Sequence, residues 1–266
     1  MTPLVVSIGT THPRNVAGVG RDARVAAQYG IAHAMAIAAI SAQDERGVHA
    51  LFPAAPHVLR SQLAAIDFAG AAVRIGALGN AENAAMVGEF LRDHAGAVVF
   101  DPVMRASAGG ALYAGEPLDA VRSVLGNTPV IVTPNIDEAQ RLTAARIASV
   151  DDMIAAGARL VRDGARAALV KGGHLAGDPV DVLVTSEGVQ TFTGSRLPQT
   201  MRGTGCTLAM ALACELALGR TLSESVKGAR AYVRENIASR MRAFDAPHRT
   251  CDEVTAADHP DFGDQG

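Results

Sequence analysis

The chain has 266 residues, 48% of them apolar and 19% charged, with a formal net charge of −3. That is enough apolar material for one large α/β domain, and it excludes a disordered chain and a broadly basic nucleic-acid binder. Cys206, Cys214 and Cys251 are an odd set without zinc-ligand spacing, which fits a reducing compartment better than a disulfide framework.

In chain order, "MTPLVVSIGTTHP" lacks the basic start of a secretory signal, and no later stretch reaches the roughly 18 apolar residues of a membrane span. A cytoplasmic protein with neither a membrane nor a nucleic-acid partner is expected. Short apolar runs recur as "LVVSI", "AMAIAAI", "AVRIGA", "AVVFD", "VIVT" and "AALVKGG", separated by segments long enough for helices. This alternation predicts repeated βα units on a mainly parallel sheet, and strands buried on both faces should be continuously apolar.

Ser149 and Asp152 form a capping-box pattern before "MIAAGARLVRDG", whose Gly164 suits the C-terminal turn. Thr221 and Glu224 open a second such helix, running through Arg242. Between them, "VDVLVTSEGVQTFTG" reads as a hairpin joined at Glu187-Gly188, on one edge of the sheet. The expected organisation is one domain over residues 1–243, followed by an Asp- and Pro-rich tail over 244–266.

The stretch "RGTGCTLAMAL" places a Gly-Thr-Gly turn at the entrance to an apolar helix. In open α/β sheets ligands gather at the carboxyl ends of the strands, beside helix N-termini. The first turn there presents about four backbone N–H groups without intrahelical partners, and the helix dipole adds positive potential. Gly203 and Gly205 remove the Cβ atoms that would hold a phosphate away. Cys206 falls in the same turn, where that potential is expected to favour thiolate. An anion hole beside a proton acceptor suits phosphoryl transfer, a reaction in which positioning and charge stabilisation outweigh base strength.

With "DPVM" at Asp101, "TPNIDEAQRLT" at Thr133, "VKGGHLAGDPVDVLV" at Val170 and "RGTGCTLAMALACELALGRTLSESV" at Arg202, the chain resembles the ribokinase-like vitamin kinases. More narrowly it is similar to the hydroxymethylpyrimidine and phosphomethylpyrimidine kinases of thiamin biosynthesis. The resemblance implies a three-layer α/β sandwich, a homodimer, and ATP with Mg²⁺ as cofactors. It implies Cys206, Lys171, Gly203 and Gly205 as catalytic, and Asn135, Lys171, Thr204 and Asp181 on the nucleotide. Asp101 and Glu138 would serve the metal; Gln43, Ala17, Gly18, Val103, Ala77 and Arg202 would surround the acceptor, a small heterocyclic alcohol or its monophosphate.

The chain departs from the family's pattern on the acceptor side. "GTTHPRNVAGVGRD" replaces a loop of small hydroxyl and glycine residues, with Gly20 where glutamine is usual. Ala77 replaces a methionine, and Arg202 a histidine. His12, Arg14 and Arg202 are read as positive charge for an anionic acceptor. A pyridoxal or pyridoxine kinase, whose acceptor also carries a hydroxymethyl arm on an aromatic ring, remains a second reading. A pyrimidine-binding regulatory protein without turnover is a third. His174 is read as a loop histidine, and "RASAGGALYAG" as a candidate mobile loop.

Overall fold

The alternation of apolar runs and helix-length segments folds into βα units. A computed structural model describes residues 2–173, 178–196 and 203–244, with side chains as far as residue 237. The first half of the chain forms β1 (Leu4–Thr10), α1 (Gly18–Tyr29), β2 (Ala32–Asp44), β3 (Gly47–Pro53), α2 (Pro56–Ala64), β4 (Ala72–Ile75), β5 (Gly79–Asn80), α3 (Ala81–Phe90), β6 (Val98–Phe100), β7 (Tyr113–Ala114) and α4 (Pro117–Asn127). The second half forms β8 (Ile131–Val132), α5 (Ile136–Thr143), α6 (Val150–Arg162), β9 (Ala167–Lys171), β10 (Val180–Thr185), β11 (Gly188–Thr193), α7 (Thr204–Ala217) and α8 (Leu222–Phe244).

Nine strands make one sheet in the order β11-β10-β9-β8-β6-β4-β1-β2-β3. The middle strands β2, β1, β4, β6, β8 and β9 pair in parallel. Consecutive residues of these strands feed opposite cores. Val6, Ile8, Val73, Ile75, Val98 and Phe100 pack under α2, α3 and α4, while Val5, Ala72, Val99 and Ile131 pack under α1 and α7. Val170, Val182 and Val184 continue the first layer beneath α6. Burial on both faces is why the runs are continuously apolar rather than alternating.

The expected hairpin is β10–β11, with its turn at Ser186–Glu187. A second hairpin, β2–β3, closes the opposite edge. "AMAIAAI" therefore belongs to a longer strand that pairs in parallel with β1 and antiparallel with β3. Its outer face leaves Met35 and Ile40 exposed, with Phe52 opposite Ile40. A separate two-stranded sheet, β5–β7, ties the segment after Asp101 to the end of β4's loop.

Helix ends follow the local chemistry. Ser149 accepts from the Asp152 N–H, and Asp152 reaches back to the Ser149 N–H at 2.9 Å. Thr221 and Glu224 make the same reciprocal contacts ahead of α8, which extends to Phe244, two residues past Arg242. Among the described residues no helix is long and apolar enough to cross a membrane. The tail from residue 245 onward, and with it Cys251, lies outside the described residues.

Ser149 is exposed and does not line the cleft described below, so its cap is expected to act on stability. Ser149→Ala is expected to lower unfolding free energy by about 1 kcal/mol in chemical denaturation. An unchanged midpoint would show that the cap carries no weight.

Candidate active site

The carboxyl ends of the parallel strands converge on one cleft of about 810 Å³. Thr10 ends β1, Asp101 follows β6, and Lys171 ends β9. Into this cleft the fold brings Ala17, Gly18, Gln43, Ala77, Asp101, Val103, Asn135, Glu138, Lys171, Asp181, Gly203, Thr204, Gly205 and Cys206. Arg202 and His174 lie outside the described residues.

α7 starts at this cleft. Gly203, its N-cap, is left-handed at φ 75° and offers no side-chain cap, so the first-turn amides are left for another acceptor. A Cβ on Gly203 would sit 2.3 Å from the Val16 carbonyl, so glycine is needed both for its φ and for this approach. The loop after β1 and the α7 N-terminus are thereby pressed together. On the other side, a Cβ on Gly205 would lie 3.3 Å from Lys171 Nζ. An ammonium and a helix N-terminus face the same small volume, which is the chemistry of a phosphate site.

Beneath it runs a chain of buried charges. Lys171 Nζ donates to Asp101 Oδ1 at 3.0 Å, and Arg74 Nη2 donates to Asp101 Oδ2 at 3.0 Å. Arg74 Nη1 continues to Asp22 Oδ2 at 3.2 Å. Burial alone would raise the Asp101 carboxyl, but Lys171 and Arg74 outweigh it and hold it below the usual range. Asp22, with burial as the larger influence, is pushed up to about 6. Sequence reasoning missed Arg74, although a single charged residue inside "AVRI" is a readable signal. A charge in a strand buried on both faces must have partners.

The thiolate expectation for Cys206 is overturned. Burial pushes the thiol up and Asp101 and Asp22 add to the shift, while Arg74 and the Gly18 N–H pull it down without prevailing. Lost solvation and two nearby carboxylates thus act against the helix dipole. Cys206 is a thiol at neutral pH.

Asn135 and Glu138 are drawn into a capping box. Asn135 Oδ1 accepts from the Glu138 N–H, and Glu138 Oε2 accepts from the Asn135 N–H, both at 2.8 Å. Burial nevertheless raises the Glu138 carboxyl to about 7 against the pull of Lys171. Asp181 is spent on the Gly172 N–H at 3.0 Å and on Arg230, so it shapes the β9–β10 turn. It sits on β10, one strand in from the edge.

Among the described residues no three His, Cys, Asp or Glu side chains form a metal cage. Mg²⁺ does not need one, since it commonly takes one or two carboxylates together with phosphate oxygens and water. Glu138, buried and short of compensating charge, has the chemistry for such a contact, and Asp101 lines the same cleft. The residues fit a Mg²⁺ held largely by a nucleotide.

On the acceptor side, Gln43 Nε2 donates to Ser41 Oγ at 2.7 Å and to the Thr11 carbonyl at 3.4 Å. Its carbonyl oxygen is thus the end left to read a ligand. The altered first loop is self-consistent: Asn15 adopts φ 51°, and its Oδ1 lies 2.0 Å from where a Cβ on Gly20 would be. The space of a side chain at position 20 is filled by Asn15. His12 is buried and lines the cleft. Arg14 does not line it; its exposed guanidinium pairs with Glu45. The expectation of Arg14 as an acceptor contact is therefore corrected. The segment after Arg105 lines the cleft too and is tied to the β2–β3 turn by the Val48 N–H donating to the Gly109 carbonyl at 3.1 Å.

A profile of the family described as phosphomethylpyrimidine kinase matches residues 13–249. The chain belongs to this family. The hydroxymethylpyrimidine/phosphomethylpyrimidine kinase of Streptomyces coelicolor is 35% identical over 234 residues, covering 87% of each chain. That of Rhizobium meliloti is 34% identical over 247 residues, covering 91% of this chain and 93% of its own. The crystal structure of phosphomethylpyrimidine kinase from Clostridium difficile superposes with a TM-score of 0.77 at 30% identity, covering 88% of this chain and 99% of that one. Staphylococcus aureus pyridoxal kinase, solved with AMP-PCP and pyridoxal, gives 0.78 at 26% identity, covering 88% and 87%. The family's ribokinase-like fold is therefore the fold of this chain.

Two outcomes follow for the thiols and for Arg14. With iodoacetamide at neutral pH and peptide mapping, Cys206 should label more slowly than a free thiol and speed up with alkali, while Cys214, buried and pushed up to about 12, should stay unlabelled. Rapid neutral labelling of Cys206 would restore the thiolate. Arg14→Ala should leave acceptor KM within about twofold, as expected of an exposed ion pair; a larger rise would return Arg14 to the acceptor site.

Proposed function

We propose that the protein transfers the γ-phosphoryl group of ATP to the hydroxymethyl oxygen of hydroxymethylpyrimidine and to the phosphate of its monophosphate. The observation that carries this reading is the meeting of the glycine-lined α7 N-terminus with Lys171 and Asp101 at one end of a cleft. Family membership supplies the substrate class.

In this reading the Thr204, Gly205 and Cys206 amides hold the transferring group, and Lys171 offsets the charge that develops on it. Asp101 holds Lys171. Cys206 orients the acceptor oxygen; the proton of a hydroxymethyl acceptor passes late, as the new P–O bond forms, to an oxygen of the transferred phosphoryl group, and ADP leaves. A loose transition state leaves little negative charge demand on the nucleophile, so orientation suffices. Glu138 and Asp101 would hold Mg²⁺, which when bound neutralises phosphate charge. Gln43 presents a carbonyl to the amino group of the ring, and Ala77 and Val103 border it.

Pyridoxal-type acceptors form a second reading, favoured by the likeness to the pyridoxal kinase and by the small Ala77. ADP release from Mg-ATP should depend on hydroxymethylpyrimidine or its monophosphate, stop on chelation, and resume with Mg²⁺. Lys171→Met should reduce kcat by about 100-fold or more. Turnover with pyridoxal alone would replace the substrate assignment, and acceptor-independent or absent ADP release would overturn the kinase reading.

A further inference from the structure

Arg74 is the one charged side chain among four buried positions of β4, and its side chain is 1% exposed. Although almost fully buried, its guanidinium reaches the floor of the cleft, where it also lies beside Cys206. One guanidinium nitrogen meets Asp22 on α1 at 3.2 Å, and another meets Asp101 after β6 at 3.0 Å. The other oxygen of Asp101 takes Lys171 at 3.0 Å and the Thr133 hydroxyl at 3.4 Å.

The Asp101 carboxylate is thus held by one cation on each oxygen. Its rotation about χ2 is tied to Arg74, and the place of Lys171 Nζ is tied to that rotation. Lys171 in turn abuts Gly205 in the α7 turn. A planar guanidinium can hold two carboxylates in fixed directions, which a lysine ammonium does less well. Gly76 supplies the room: a Cβ there would lie 2.4 Å from Arg74 Nη1. The glycine of "RIGA" is therefore a steric partner of the arginine two residues before it.

We infer that Arg74 is a positioning residue for phosphoryl transfer, which through Asp101 aims Lys171 at the group held by the α7 N-terminus. The inference rests on the kinase reading for its kinetic consequence, but its geometric consequence stands by itself. Arg74 borders the cleft, and in this account it acts through Asp101 rather than by binding ATP or acceptor. Its loss acts on the alignment of the transferring group and leaves binding of either substrate intact.

The test compares Arg74→Lys, which keeps the charge and loses the fork, with Gly76→Ala, which keeps every charge and displaces the guanidinium. Both are measured by steady-state kinetics and by crystal structures set beside that of the unaltered protein. Arg74→Lys should lower kcat by about 10- to 100-fold, as a small misplacement of a charge-stabilising group does. KM for ATP and for the acceptor should stay within about threefold, the mark of an interaction made in the transition state. Gly76→Ala should reproduce the split, so the conclusion does not depend on either variant folding alone. In the crystals Lys171 Nζ should leave Asp101 Oδ1.

An unchanged kcat with Lys171 unmoved would overturn the inference, as would a rise in KM with kcat retained. Should the unaltered protein turn over no acceptor, the kinase reading fails. The crystal structures then still decide whether Arg74 holds Lys171.

Discussion

Two carboxylates and two cations share the floor of the cleft, all but Lys171 almost wholly shut off from solvent. Breaking one buried pair by removing a single partner commonly costs about 3–5 kcal/mol, because the other charge is left without compensation. Asp22, Arg74, Asp101 and Lys171 come from α1, β4, the end of β6 and the end of β9. Each pair therefore joins elements that are distant along the chain, and the strand ends can take up their places only together. The phosphate site is the exposed end of this chain of charges. Lys171 faces the cleft, while Arg74 and Asp22 anchor it from within the layer between the sheet and helices α1 and α7.

The α7 N-terminus depends on the same arrangement. Its amides are available because Gly203 caps the helix without a side chain, and the loop from β1 lies against it through the Val16 carbonyl. Arg21 on α1 donates to Thr207 Oγ1 on α7 at 3.1 Å, and Tyr29 to Glu215 at 3.0 Å. The helix with the proposed anion hole at its N-terminus is thus fixed to the helix that follows the loop after β1. Donor and acceptor are brought close by packing between α1 and α7, with no need for a separate domain.

Much of this was legible from residue order. The six apolar runs are strands, five of them continuous because both faces are buried, and Asp101, Asn135 and Lys171 follow or end strands that converge beside Gly203 at the α7 N-terminus. The β2–β3 hairpin was not legible, since its outer face carries apolar residues where alternation would place polar ones. β5 and β7 are two residues each, too short for any periodicity. The Cys206 expectation failed because position in a helix reports only the dipole, whereas burial, first of all, and then the charges of Arg74, Asp101 and Asp22 act on its proton. The Arg14 assignment failed for the opposite reason, for proximity in sequence to a site loop says nothing about which way a side chain leaves it. Arg74 shows that a lone exception inside a regular pattern carries more information than the pattern.

The contacts between α1 and α7 span 186 residues. During synthesis, β1, α1 and β4 leave the ribosome long before the helix that covers them. Until α7 arrives, Val5, Ala72 and Val99 have only α1, through Val25 and Ala26, to cover them on that face. Closure of so long a loop is slow relative to local helix formation. In the growing chain one face of the sheet is therefore only half covered until α7 is made, and the cleft at the α7 N-terminus forms in the same event that completes the cover.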